Sequence, residues 1–404
     1  MALLEFLIAV LLGITAGIFT GLTPGIHINL VSLLVVSSSA SLLGFVSLPS
    51  LGVFIISMAI AHTFLDILPA IFLGAPNEAT ALGVLPGHRL LLQGMGYEAV
   101  KLTVIGSLLS LILAILLFPL LIIVFPLIYD DIRPYIGFIL IVVVVYMVFI
   151  EKGSDKKFWA FVVFLISGIL GILALTMPNL KQPLFPLLSG LFGLSMLIVS
   201  LSQKVEIPKQ RITENIILSK FQSIKSILAG TFSGSIVSFF PGMGPAQAAV
   251  IGSNIFGSLG TYSFLILIGS IGTVDMAASL VTLYTLDRAR NGAVFAIREL
   301  LASIDLSTLI LFIGAALLAG GIATFLVLYL ARIFARLIGK VNYSILCFCV
   351  ILLVTLLVLY FSSWLGLLIL IVSTAIGLIP NIVDVKRSHS MGCLMLPVIL
   401  FFVL

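Results

Sequence analysis

Asp66 and Asp275 each stand inside an apolar run, FLDIL and TVDMA. A carboxylate at the centre of a lipid-embedded helix costs about 2.5–3.5 kcal/mol on insertion scales, so something must compensate it. His62 lies four residues before Asp66 and on a helix would share its face. Such a pair can share a proton or hold a cation, which marks Asp66 and His62, with Asp275 as a second acid, as candidates for H+ or Na+ coupling. The alternative for either aspartate is a carboxyl kept protonated and hydrogen-bonded to a neighbouring helix, or one nearer the interface.

A second chemistry is suggested by two Pro-Gly steps inside apolar stretches, Pro24-Gly25 in 3–45 and Pro241-Gly242 in 224–257. Proline removes a helical donor and glycine relaxes the backbone. In lipid such a break is tolerated only where it is buried in protein or lines a wet cavity. His27 and Asn29 follow the first step; Met243, Gly244 and Gln247 follow the second. Each break opens a new half-helix whose free N–H groups and dipole attract anions. Two such ends meeting across a pseudo-twofold axis would form one anion site near the midplane. The competing reading is that the breaks merely let helices pack closely. Either stretch can be a re-entrant hairpin or two short spans.

A third group is polar and lies near span ends. Asn77, Glu78, His88 and Arg89 fall in a segment, 73–103, that is too polar to span and reads as a hairpin dipping into one membrane face. Asp287, Arg288, Arg290 and Asn291 are its counterparts in the second half. They could line entrances, with the two arginines steering an anion through guanidinium–carboxylate geometry. Solvated loop charge is the bland alternative.

The elements that must position these residues follow from composition. Of 404 residues 61% are hydrophobic and 9% charged, against roughly 25% charged in a soluble domain. The solvent is therefore lipid. Apolar runs long enough to cross it cover 50–73, 101–128, 132–150, 157–176 and 183–201, then 262–285, 303–331, 341–360, 363–380 and 391–404. The net charge of +5 does not indicate nucleic acid, because Lys and Arg sit in short loops rather than in an aromatic-interleaved patch. Cys347, Cys349 and Cys393 lie in apolar segments with no metal-ligand or disulfide spacing. The N-terminus has no basic leader region and reads as a mature helix.

The halves resemble each other. Gly13/Gly230, Gly17/Gly234, Pro24/Pro241 and Gly25/Gly242 all repeat at an offset of 217. Asp66 with Glu78 and Asp275 with Asp287 repeat at 209. Five spans after each hairpin is an odd number, so the second half should insert upside down. The expectation is an all-α polytopic membrane protein of two inverted-topology repeats, 1–201 and 224–404, each a Pro-Gly-broken re-entrant hairpin plus about five transmembrane helices. Residues 202–223 would be a cytoplasmic linker without chemistry. With the linker inside, fifteen of the twenty Lys and Arg are cytoplasmic; only Arg133, Lys181, Arg288, Arg290 and Arg298 fall outside. The N-terminus then faces outward from the cell membrane.

The run ATALGVLPGHRLLLQGMGYEAVKLTVIGS, Ala79 to Ser107, resembles a block of the TctA family, the large membrane subunit of tripartite tricarboxylate transporters. Gly74-Ala75-Pro76 and the segments GLTPGIH and FFPGMGP resemble its other turns. Gly83-Val84 stands where an acid commonly follows ATAL, which is closer to a divergent, uncharacterised prokaryotic branch. The resemblance implies a pore subunit that moves citrate-like carboxylates with ion coupling, served by an extracytoplasmic binding protein and a small membrane subunit.

The leading expectation is therefore a secondary transporter for a small organic anion, with H+ or Na+ as coupling ion and no other cofactor. A lipid-phosphate flippase, for instance for polyprenyl phosphate, would suit the same opposed helix ends. An intramembrane enzyme is disfavoured: neither aspartate has a GxGD setting, and HExxH and GxSxG are missing. So is an ATP-driven pump, for want of GxxxxGK[ST], and an ion channel, for want of a ring of carbonyls or charges.

Overall fold

A computed structural model describes residues 2–23, 28–39, 45–74, 80, 82, 84–202, 208–213, 216, 218–240, 244–257, 259–338 and 343–404. Every regular element among them is helical, and seven of these helices are long and apolar enough to cross a bilayer. The chain is an all-α polytopic membrane protein. In the first half α1 (Ala2–Leu22) and α2 (Ile28–Ser37) flank the first break. Then come α3 (Leu48–Leu65), extended by a π-helical turn at Pro69–Leu73, the short α4 (Val84–Leu92) and the long α5 (Gly96–Ile132). The outer helices are α6 (Ile136–Phe149), α7 (Ser154–Thr176), and α8 (Leu184–Leu188), which passes through a π-helical stretch into α9 (Ser195–Ser202).

The second half follows the same order. Helices α10 (Lys220–Phe239) and α11 (Pro245–Ile255) flank the second break. Next are α12 (Thr261–Leu286), the short α13 (Gly292–Leu301), the long α14 (Leu306–Ile338), α15 (Tyr343–Ile382) and α16 (Gly392–Val403). Ser363, with φ 59°, divides α15 into the two expected spans. At 10 and 11 residues, α2 and α11 reach only about 15 Å at 1.5 Å per residue, half the hydrocarbon thickness. By length alone, these described helices fall short of a full span.

Small residues set which helices touch. A β-carbon on Gly13 would lie 2.5 Å from the Phe54 carbonyl, and one on Gly17 2.6 Å from the Ala61 Cβ, so α1 lies flush along α3. Gly230 meets Ser270 and Gly234 meets Val274 in the same way, seating α10 on α12. These contacts correct the register of the repeat. Ser57 matches Ser270 and Ala61 matches Val274, an offset of 213 rather than 209. His62 therefore corresponds to Asp275, and Asp66 to Ser279. The helices' packing faces fix the equivalence, whereas the matching aspartate letters sit one helical turn apart.

Helix directions follow from end contacts. Tyr262 meets Met95 at the starts of α12 and α5, and Arg288 meets Tyr129 at their ends, so the two run parallel. Gly52 packs on Phe312 and Phe72 on Phe334, so α3 and α14 are also parallel. Phe72 also packs beside Gly96, so α5 turns back from α3. It follows that α3 and α12 point in opposite directions, as an inverted repeat requires. These four helices make the centre, and α3 and α12 are mostly buried. Much of α5 and α15 is apolar and exposed, the face expected to meet lipid.

Two loop regions carry structure of their own. Within the polar segment 73–103, part of which lies outside the described residues, α4 is helical and α5 begins at Gly96. The expected linker 202–223 includes the start of α10, at Lys220 behind a Ser219 cap that accepts from the Gln222 N–H. Its described part is strapped to the α4–α5 turn: the buried Gln210 accepts from the Gly96 N–H at 2.8 Å and donates to the Leu91 carbonyl at 2.9 Å. Arg211 then pairs with Glu98 at 2.6 Å, which raises the guanidinium pKa further.

Helices α5 and α12 cross with backbone close to backbone, where Gly106 faces the Ile266 backbone and Gly269 faces the Thr103 backbone. Replacing Gly269 by Val should force these helices apart and cost about 1–3 kcal/mol. A lowered unfolding midpoint of the purified protein in detergent would show it; an unchanged midpoint would contradict the crossing.

Candidate functional site

The π-turn after α3 begins at a proline, which cannot donate, so the regular ladder loosens beside Asp66. Asp66 and His62 are both buried, and the Asp66 Oδ2 lies 3.9 Å from the His62 Nε2. The other ring nitrogen, Nδ1, is 3.1 Å from the Thr20 hydroxyl on α1. His62 thus links the end of α1, beside the first break, to the aspartate. Asp66 borders a small, partly open cleft lined also by Thr63, Thr80, Thr103, Ser107, Gly269 and Gly272. Hydroxyls knit its walls together: Thr63 to Thr273 at 3.2 Å, Ser107 to the Gly269 carbonyl at 2.9 Å, and Ser110 to Ser270 at 2.8 Å.

A carboxylate, an imidazole and several hydroxyls at a helix crossing can bind and release a proton or coordinate a small cation. Thr103 and Ser107, four residues apart on one face of α5, went unremarked in the sequence; their helical spacing was the available signal. Asp275 is half-buried on α12 and is not among the residues lining the cleft.

Pro24, Gly25, His27, Pro241, Gly242, Met243, Asn77 and Glu78 lie outside the described residues. Asn29 and Gln247 fall in α2 and α11. The Gly244 carbonyl accepts from the Ala248 N–H at 3.2 Å and so opens α11. Arg89 is exposed, while His88 is buried with Nδ1 3.0 Å from the Ile71 carbonyl. Burial lowers the His88 pKa, and that hydrogen bond partly opposes the shift.

The two breaks themselves lie outside the described residues, and their described flanks pack against neighbouring helices. At the first break, Gly21 abuts Leu65 and Asp66, level with Thr103 and Ser107 of α5. At the second, Phe239 stacks on Phe125 and Tyr129, with ring centroids 4.8 and 5.4 Å away. From Ser107 to Phe125 is about 27 Å of helix at 1.5 Å per residue. The described flank of the first break thus packs beside α3 and that of the second beside the end of α5. Near the second lie Arg288, Arg290 and Asn291, while Asp287 is held by Arg298 at 3.2 Å.

A family model described as the tripartite tricarboxylate transporter TctA family matches residues 7–392. The chain belongs to the TctA family. It is thus a multi-pass membrane protein of a tricarboxylate-transporter type. It is 33% identical over 405 residues to the uncharacterised protein MJ1079 of Methanocaldococcus jannaschii, covering 98% of each chain. No solved structure matches it.

Thr20→Val keeps the shape but removes the hydroxyl beside His62. The expected loss is about 0.5–1.5 kcal/mol of stability, read as a lower unfolding midpoint with the fold retained by circular dichroism. A midpoint equal to wild type would mean that this hydrogen bond is not made.

Proposed function

We propose that the chain is an ion-coupled secondary transporter that moves a small organic anion, tricarboxylate-like, across the cell membrane. The observation that carries this reading is the buried Asp66–His62 pair with its Thr20 partner, set in a cleft between α3, α5 and α12. A buried carboxylate within a span is costly unless compensated. A proton shared with His62, or a Na+ held among Asp66 and the Thr63, Thr103 and Ser107 hydroxyls, would meet that cost. The cleft lies where helices of the two halves meet, so rocking one half against the other would change its access. We read those halves as inverted repeats, which the antiparallel α3 and α12 support.

On this reading H+ or Na+ is the coupling ion and the N-terminus faces outward. A small membrane subunit and an extracytoplasmic binding protein would serve the chain, as the tripartite family name suggests. The free amides of α2 and α11 would meet the anion at successive depths instead of at one point.

The test is uptake into proteoliposomes of citrate, succinate and a polyprenyl phosphate, with and without proton or Na+ gradients. Gradient-driven carboxylate uptake is expected. Asp66→Asn should reduce it by about two orders of magnitude, the scale of a lost essential proton carrier, while leaving citrate binding in place. Wild-type coupling in that variant would defeat the assignment, and movement of the lipid phosphate alone would replace it with a flippase.

A further inference from the structure

The α12–α13 turn brings two cations together, and the adjacent acid is taken by another arginine. Asp287 closes α12 in a left-handed conformation, φ 50°. The chain then places the Arg288 guanidinium 4.7 Å and that of Arg290 5.4 Å from the centre of one ring, Tyr129. Arg288 donates from Nη1 to the Tyr129 hydroxyl at 2.9 Å. The adjacent acid is already engaged: Arg298 donates from Nε and Nη2 to the two Asp287 oxygens, each at 3.2 Å.

Arg290 presents the same edge without a partner among the described residues. Its Nε and Nη2 are both shielded from solvent and have no hydrogen-bond partner among the described residues. The Asn291 Nδ2 beside it is likewise buried without a partner. The Asn291 Oδ1 accepts from the Val294 N–H at 2.9 Å as the cap of α13, which fixes the amide and leaves Nδ2 as the free donor. Buried donors left unpaired are costly and call for an acceptor. The edge that Arg298 uses two residues' reach away shows which acceptor fits: a planar carboxylate taking two parallel N–H bonds.

We infer that Arg290, with Arg288, Asn291 and Tyr129, forms a carboxylate-binding station on the membrane face where α5 and α12 end. The inference rests on the reading of the chain as an organic-anion transporter. Its occupant is a carboxylate of the transported anion. Arg290 supplies the two-pronged contact, Asn291 a further donor and Arg288 a second charge held in place by Tyr129. Phe239, directly before the second helix break, packs on the same tyrosine, so the station adjoins that break. With the N-terminus outward the station faces outside, well before Asp66 along α5. An anion would meet it first.

The test uses the full chain in nanodiscs, with labelled citrate binding as the readout. Arg290→Gln should weaken citrate binding at least tenfold, and Arg290→Lys should not restore it, because an ammonium cannot present a fork. Citrate should also protect Arg290 of the wild-type protein from phenylglyoxal, read by mass spectrometry, which removes any dependence on how a variant folds. Unchanged citrate affinity in Arg290→Gln, or no protection of Arg290, would overturn the inference. So would protection by phosphatidylglycerol nanodiscs alone that citrate does not increase, since the occupant would then be a lipid headgroup. Citrate protection of Arg290 without carboxylate uptake by proteoliposomes would sink the transport reading and leave the station standing. Coupled uptake with an unprotected Arg290 would do the reverse.

Discussion

In hydrocarbon a peptide group that loses its helical partner has no water to replace it. A helix that breaks there must do so against other protein. That constraint accounts for the arrangement around α1 and α10: each ends at a Pro-Gly step, and each is pressed along its length onto a largely buried helix, α3 or α12. The glycines at 13, 17, 230 and 234 provide the close approach, because no hydrophobic force drives helices together in lipid and packing must come from contact distance. The more exposed helices α5, α6, α7 and α15 carry the apolar surface outward.

The same constraint sorts the polar groups. Away from the helix crossings they gather at the two faces and pair there. On one face Arg211 meets Glu98, Lys156 meets Asp384, and the buried His389 meets Glu151 at 3.0 Å. On the other, Glu5 accepts from Ser47 and Arg298 holds Asp287. The Asp384 pKa falls because Lys156 donates to it and attracts its charge. Groups that pair in space are thus those that the alternation of spans assigns to one face. What remains inside is concentrated at the α3–α5–α12 crossing, where Asp66 and His62 sit among hydroxyls. At corresponding positions the second half carries different residues: Asp275 where the first has His62, and Ser279 where it has Asp66. The halves share a packing plan and differ in chemistry.

Two places along α5 therefore carry separable tasks. The Asp66 cleft is suited to a proton or small cation, and the Tyr129 end, with its arginine pair, to an anion. On the proposed reading, the distance between them, set by one long helix, would make an anion and its coupling ion communicate through movement of α5 against α12 and α3. The backbone contact at Gly106 and Gly269 keeps few side chains in the way of such a movement.

Local chemistry alone determined much of this. Composition specified lipid as the solvent, apolar run length specified the spans, and the Pro-Gly steps marked where α1 and α10 would stop, because each is a property of a few neighbouring residues. The acid–imidazole pair was likewise visible, since His62 and Asp66 lie one helical turn apart. Tertiary structure decided the rest. The repeat register depends on which faces of α3 and α12 receive the glycines of α1 and α10, and the repeated aspartate letters pointed to the wrong turn. Tyr129 gathers Arg288 and Arg290 only because α5 runs parallel to α12 for its whole length, a contact across 159 residues that no local pattern encodes.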